Sequence, residues 1–123
     1  MIRPKTINDW AMDIHDNAVD HGWWESKRPF SEVVALCHSE LSEALEEDRA
    51  GKELFYYGKG GKPEGVATEM IDCMIRILDW CEEAGVNVED VLIEKHNYNI
   101  QRPYKHKHHC GIYADLYRSD GRK

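Results

Sequence analysis

Two acidic pairs, Glu40-Leu-Ser-Glu43 and Glu69-Met-Ile-Asp72, constrain this chain more than any other feature. Each interrupts a stretch that is otherwise apolar and helix-forming. A spacing of i, i+3 puts both carboxylates of a pair on one helix face, so two such helices packed side by side gather all four acids. Like charges in a partly buried cleft repel strongly. A hard divalent cation resolves that repulsion, and all-oxygen ligation favours Mg²⁺ or Mn²⁺.

The rest of the chain reads as helical too, with no convincing strand. Ile7, Trp10, Ala11, Ile14 and Ala18 recur at helical spacing and predict a first helix from about Ile7 to about His21. A second helix is expected from Ser31, taken as its N-cap, to Gly51. The turn-forming run Tyr57-Gly-Lys-Gly-Gly-Lys-Pro63 then separates it from a third helix, in which Pro63 fits the first turn and Gly85 the stop. Asn87 caps a fourth helix, with Asp90 three residues on, and Pro103 ends it near Arg102. The expected fold class is therefore all-α, a four-helix bundle-type subunit.

At about 100° per residue, Glu40 projects between Val33 and Leu36, inside the apolar face of the second helix. That carboxylate is expected to point inward. On the third helix, apolar residues from Val66 to Cys81 cover more than half the circumference and leave a narrow strip for Glu69, Asp72, Arg76 and Asp79. So wide an apolar arc predicts burial against a second subunit, as a homodimer or homotetramer. Glu46, Glu47 and Asp48, by contrast, read as a solvated helix end.

At 123 residues the chain is expected to hold one domain over residues 1–105, followed by a tail over residues 106–123. A formal net charge of −7 argues against general binding to nucleic acid or to an anionic membrane, since both need a basic face. No apolar run approaches the roughly 20 residues of a membrane span, and Met1-Ile-Arg-Pro-Lys5 lacks the apolar stretch of a signal peptide. The expected location is cytoplasmic. Cys37, Cys73, Cys81 and Cys110 show no CxxC spacing and read as reduced thiols, three of them among apolar helical residues.

Lys95, Asn99 and Arg102 fall on one face of the fourth helix and offer two cations and an amide. Such a set suits a polyphosphate chain, or equally a row of ion pairs with the acidic helices. Gly58-Lys-Gly-Gly-Lys62 lacks the Walker spacing, the Ser/Thr after the lysine and a preceding strand, and so reads as a lid or a linker. Among the aromatic residues Trp80 projects close to the side that carries Glu69, which makes it a candidate for stacking on a base. His106, His108, His109 and Cys110 have no partner pair at zinc-finger spacing and read as a flexible or subunit-contacting tail.

Three ordered motifs, Cys37-His-Ser-Glu-Leu-Ser-Glu-Ala-Leu-Glu-Glu47, Lys62-Pro-Glu-Gly-Val-Ala-Thr-Glu-Met-Ile-Asp72 and Lys95-His-Asn-Tyr-Asn-Ile-Gln-Arg-Pro-Tyr104, together resemble the MazG-like branch of the all-α nucleoside triphosphate pyrophosphohydrolases. The resemblance spans roughly Ile7 to Tyr104. It implies an oligomeric helical enzyme that converts an NTP or dNTP to the monophosphate and pyrophosphate with Mg²⁺. Carried over by motif position, Glu40, Glu43, Glu69 and Asp72 would be metal ligands, and Lys95, Asn99 and Arg102 would bind phosphate. Many members have a second acid directly before the first ligand, where this chain has Ser39. The resemblance therefore leaves the proton of the attacking water to Glu40 or Glu43, the two catalytic candidates, or to the metal site itself. A ferritin-like di-iron site would need ExxH on two helices, which these pairs lack. The alternative function is a non-catalytic helical module that binds a nucleotide or a partner.

Overall fold

The computed structural model describes residues 3–104, so the His106–Cys110 cluster and the expected tail lie outside the described residues. Those residues are mostly helical: α1 (Ile7–Asp20), α2 (Phe30–Arg49), α3 (Val66–Glu83) and α4 (Val88–Ile100), with a two-stranded hairpin, β1 (Tyr56–Tyr57) and β2 (Pro63–Glu64), between α2 and α3. They form two compact units, one through Glu89 and one from Asp90 onward, and each is described by itself.

Local chemistry sets the helix ends. Thr6 caps α1 and accepts from the Asp9 N–H while Asp9 returns the bond to the Thr6 N–H, a capping box that satisfies two donors at once. At the other end the Trp23 N–H reaches back to the Ala18 carbonyl (3.0 Å), which terminates α1 and fixes where the Trp23-Trp24 pair begins. The stop of α3 has the same form. Gly85 takes φ 75°, and the Val86 N–H closes on the Cys81 carbonyl at 2.8 Å.

Three expectations need correction. Ser31 is not the cap of α2, which starts one residue earlier behind Pro29. That proline holds extended backbone, and its carbonyl accepts the Glu32 N–H at 3.0 Å. Pro63 is not in the first turn of α3 but in β2, opposite Tyr57, and the short hairpin it completes is the strand pair that helical periodicity concealed. Proline suits such an edge because it has no N–H to leave unpaired. The residue that actually precedes α3 is Gly65, at φ 112°, where a Cβ would collide with the Leu54 carbonyl oxygen. That carbonyl also accepts the Ala67 N–H (3.0 Å) and pins the start of α3 to the chain after α2.

Within the first unit α3 is central, packed against both α1 and α2. Small or modest side chains fill the seam, with Ala11, Val33, Ala44, Cys73 and Leu78 buried. One flank of α3 is apolar and exposed. Met70, Ile71, Met74 and Ile77 are all more than two-fifths exposed. Cys37, Cys73 and Cys81 are free thiols. No described helix is long and apolar enough to cross a membrane.

Candidate metal and nucleotide site

Packing of α2 on α3 brings the acidic pairs together. Glu40 pairs with Arg76 while Glu43 meets Glu69, so the contacts climb α2 as they descend α3 and the helices run in opposite directions. Carboxylate oxygens of Glu40, Glu43 and Glu69 all lie within 4.8 Å of one another. Glu40 is buried at 7% exposure, as its place on the apolar face of α2 requires, and Glu43 faces solvent. Asp72 lies next to this trio, close enough to feel the charge of Glu40, and shares the wall of one cleft with it.

The electrostatics follow from this crowding. Burial, then the hydrogen bonds to Glu40 and Glu43 and the charges of Glu43 and Asp72, push the Glu69 carboxyl up to about 8. One of its oxygens, Oε2, is buried and has no hydrogen-bond partner among the described residues. Burial also pushes Glu40 upward. There the Arg76 guanidinium and the hydrogen bonds to Glu69 and Glu43 prevail, and the carboxyl ends below its ordinary value. Asp72 is raised by burial and by the charge of Glu40, with Arg76 and Lys62 pulling the other way. Without an added cation, such a cluster must share protons.

These residues fit a hard divalent cation by their own chemistry. The donor set is entirely carboxylate oxygen, it converges from two helices, and it contains a buried oxygen that no donor among the described residues satisfies.

A cleft of about 490 Å³ extends from Glu40 and Asp72 toward aromatic walls formed by Trp10, Trp23 and Trp24. Its far end is held by Asp79 on α3, a buried carboxylate like Glu40 on α2. Asp79 accepts from the Trp24 indole N–H at 2.9 and 3.2 Å, lies 2.8 Å from His15 Nδ1 and 3.9 Å from an Arg28 nitrogen. Arg28 in turn donates to Glu32 (2.7 Å) and lies 4.8 Å from the ring centre of Trp24. His15 bridges to Glu83 through Nε2 at 3.2 Å.

Trp80 packs against Phe30, with ring centres 5.0 Å apart, and is not among the residues that line the cleft. Trp23 and Trp24 line it instead. Arg76 and Asp79 belong to the polar strip of α3 that the wheel exposes, whereas His15 carries no sequence signal at all, being a lone histidine on an amphipathic helix. Lys95 and Asn99 are exposed on α4 and Arg102 follows its end, with Lys95 5.0 Å from the Tyr98 ring centre. They belong to the second unit.

Comparison with protein-family models, with curated proteins and with solved structures returns no match to this chain.

Proposed function

We propose that the chain hydrolyses a nucleoside or deoxynucleoside triphosphate to the monophosphate and pyrophosphate, with Mg²⁺ as cofactor and Mn²⁺ as substitute. The observation that supports this reading most is the Glu40, Glu43, Glu69 cluster, with its buried unpartnered oxygen, beside a cleft with aromatic walls. Aromatic rings suit a base, and cation-bearing carboxylates suit a phosphate chain.

In this reading Glu40, Glu43, Glu69 and Asp72 hold the metal, which when bound neutralises phosphate charge and makes water more acidic. The chain's own residues divide the remaining work. Arg76 keeps Glu40 ionised, which makes it a stable ligand and a weak proton acceptor. Glu43, at the exposed edge of the cluster, is better placed to take the proton of the attacking water. That division also accommodates Ser39, exposed on α2, where the resemblance leads one to expect an acid. Phosphate binding by Lys95, Asn99 and Arg102 rests on the motif resemblance alone.

The subunit is proposed to work as a homodimer or homotetramer, in an all-helical bundle, since the exposed Met70, Ile71, Met74 and Ile77 flank needs a cover. Ile77→Asp should disrupt assembly and activity together, and Ile77 is a cleaner site than Ile75, which lines the cleft. A fully active wild-type monomer in light scattering would refute the assembly.

Activity is tested by assaying pyrophosphate release from a panel of NTPs and dNTPs with Mg²⁺. Production of orthophosphate alone, or full activity in excess EDTA, would overturn the proposal. Tight nucleotide binding without turnover would favour the non-catalytic module.

A further inference from the structure

One guanidinium stands between the carboxylate cluster and the aromatic end of the cleft. Arg76 follows Asp72 by four residues and precedes Asp79 by three, so all three share the polar strip of α3. At 1.5 Å per residue, Asp72 and Asp79 are about 10 Å apart along the axis, with Arg76 just past midway. Its side chain lines the cleft and is 28% exposed.

The bonding of Arg76 is incomplete in an informative way. Nε and Nη2 both lie 2.9 Å from a single oxygen, Oε1 of Glu40. A guanidinium carries five N–H donors, and its best carboxylate contact uses two nitrogens on two oxygens. Here Nη1 has no hydrogen-bond acceptor among the described residues. The other cation on the cleft wall, Arg28, is differently placed, committed to Glu32 and Asp79 and flanked by Trp23 and Trp24. Arg76 is thus only partly used by the described residues. A ligand rich in anionic oxygens would complete its coordination.

Resting on the nucleotide reading above, we propose that Arg76 is a substrate-contacting residue that binds the phosphate chain on the side nearest the sugar. With phosphates drawn to the carboxylate-held cation and the base to the Trp23-Trp24 end, the sugar-proximal phosphate falls at the height of Arg76. The contact to Glu40 keeps the guanidinium at that height in the free protein, with the Trp23 ring centre 6.0 Å from its central carbon.

The test uses the full-length chain and two variants, Arg76→Gln and Arg76→Lys, with three readouts. Calorimetry measures Mn²⁺ alone, then inorganic tripolyphosphate in the presence of Mn²⁺, and steady-state pyrophosphate release from an NTP panel gives kcat and KM. Losing a charge-assisted contact should weaken tripolyphosphate binding and lower kcat/KM roughly ten- to a hundredfold in Arg76→Gln, while Mn²⁺ affinity, which Arg76 touches through Glu40, falls by a clearly smaller factor. Arg76→Lys should recover part of both losses, since it restores the charge without the fork. Wild-type tripolyphosphate affinity in Arg76→Gln overturns the inference, as does a fall in Mn²⁺ affinity large enough to account for the lost activity. Should thermal melting show Arg76→Gln unfolded, Arg76→Lys decides alone, and wild-type binding and kcat/KM in that variant overturn the inference. Absence of NTP cleavage by the wild type, with tripolyphosphate binding still dependent on Arg76, would instead remove the hydrolase reading and keep the anion contact.

Discussion

Glu69 and Asp79 are two carboxylates on the same helix, near opposite ends of one strip, and the fold treats them in opposite ways. Asp79, 8% exposed, is surrounded by donors from α1, from the segment after α1 and from that before α2: His15, Trp24 and Arg28. Glu69 has a buried oxygen with no donor among the described residues and three other acids as neighbours. A buried anion with donors from several directions is an element of structure, since its desolvation is offset within the chain. A carboxylate whose buried oxygen meets only other acids is offset by a proton or by a cation from outside. The protein thus answers one of these carboxylates with its own donors and leaves the other among acids.

If that contrast is right, the largest effect should be on turnover at the cluster end. Glu43→Gln or Asp72→Asn should reduce pyrophosphate release by about a hundredfold or more, as expected when a group that organises transition-state charge is lost. Both variants should keep the fold, visible as unchanged helical circular dichroism. Near wild-type turnover at low Mg²⁺ would remove that residue from the ligand set.

Stability should respond at the other end. Asp79→Ala leaves His15, Trp24 and Arg28 without their common acceptor and should cost about 3 kcal/mol, a fall in Tm on the order of ten degrees. Glu69→Gln in metal-free buffer should instead leave Tm unchanged or raise it, because no charge can then form at that position among the other acids. Equal destabilisation by the two substitutions would erase the distinction between the ends.

A smaller effect is expected with pH. The folded protein holds the Glu69 proton more tightly than an unfolded chain does, so the stability it contributes is full below about 4.5 and is lost as pH rises toward about 8. Urea midpoints in EDTA should thus fall across that window, with a shallower slope in Glu69→Gln. Saturating Mn²⁺ should flatten the wild-type slope, since a bound cation takes over from the proton. An identical slope with and without Glu69 would show that other groups govern it.

Several of these features were legible in the residues themselves. Helix existence follows from periodicity, and the ends of α1, α2 and α3 fall within a residue or two of the expected positions, because capping and left-handed glycine are local effects. The inward direction of Glu40 is also local, fixed by its angle to Val33 and Leu36 on one helix. Pro63 is compatible with two local settings, a first helical turn and an edge strand, so its own segment does not place the start of α3. What chose between them is the pairing of Tyr57 with Pro63 and the clamp of Leu54 on the start of α3, neither visible in the Pro63 segment alone.

The sequence by itself determined that four helices form and that each acidic pair shares a helix face, since both depend on residues within a turn or two of one another. Only the tertiary structure decided that Glu40, Glu43 and Glu69 converge, that Glu69 is the acid left without a donor, and that Asp79 is answered by His15 from 64 residues away. It likewise chose Trp23 and Trp24 over Trp80 as the walls of the cleft. A side chain's angle on its own helix is a property of the backbone. Its neighbours, and through them its charge, depend on how one helix is set against another, and that is fixed by packing across long stretches of chain.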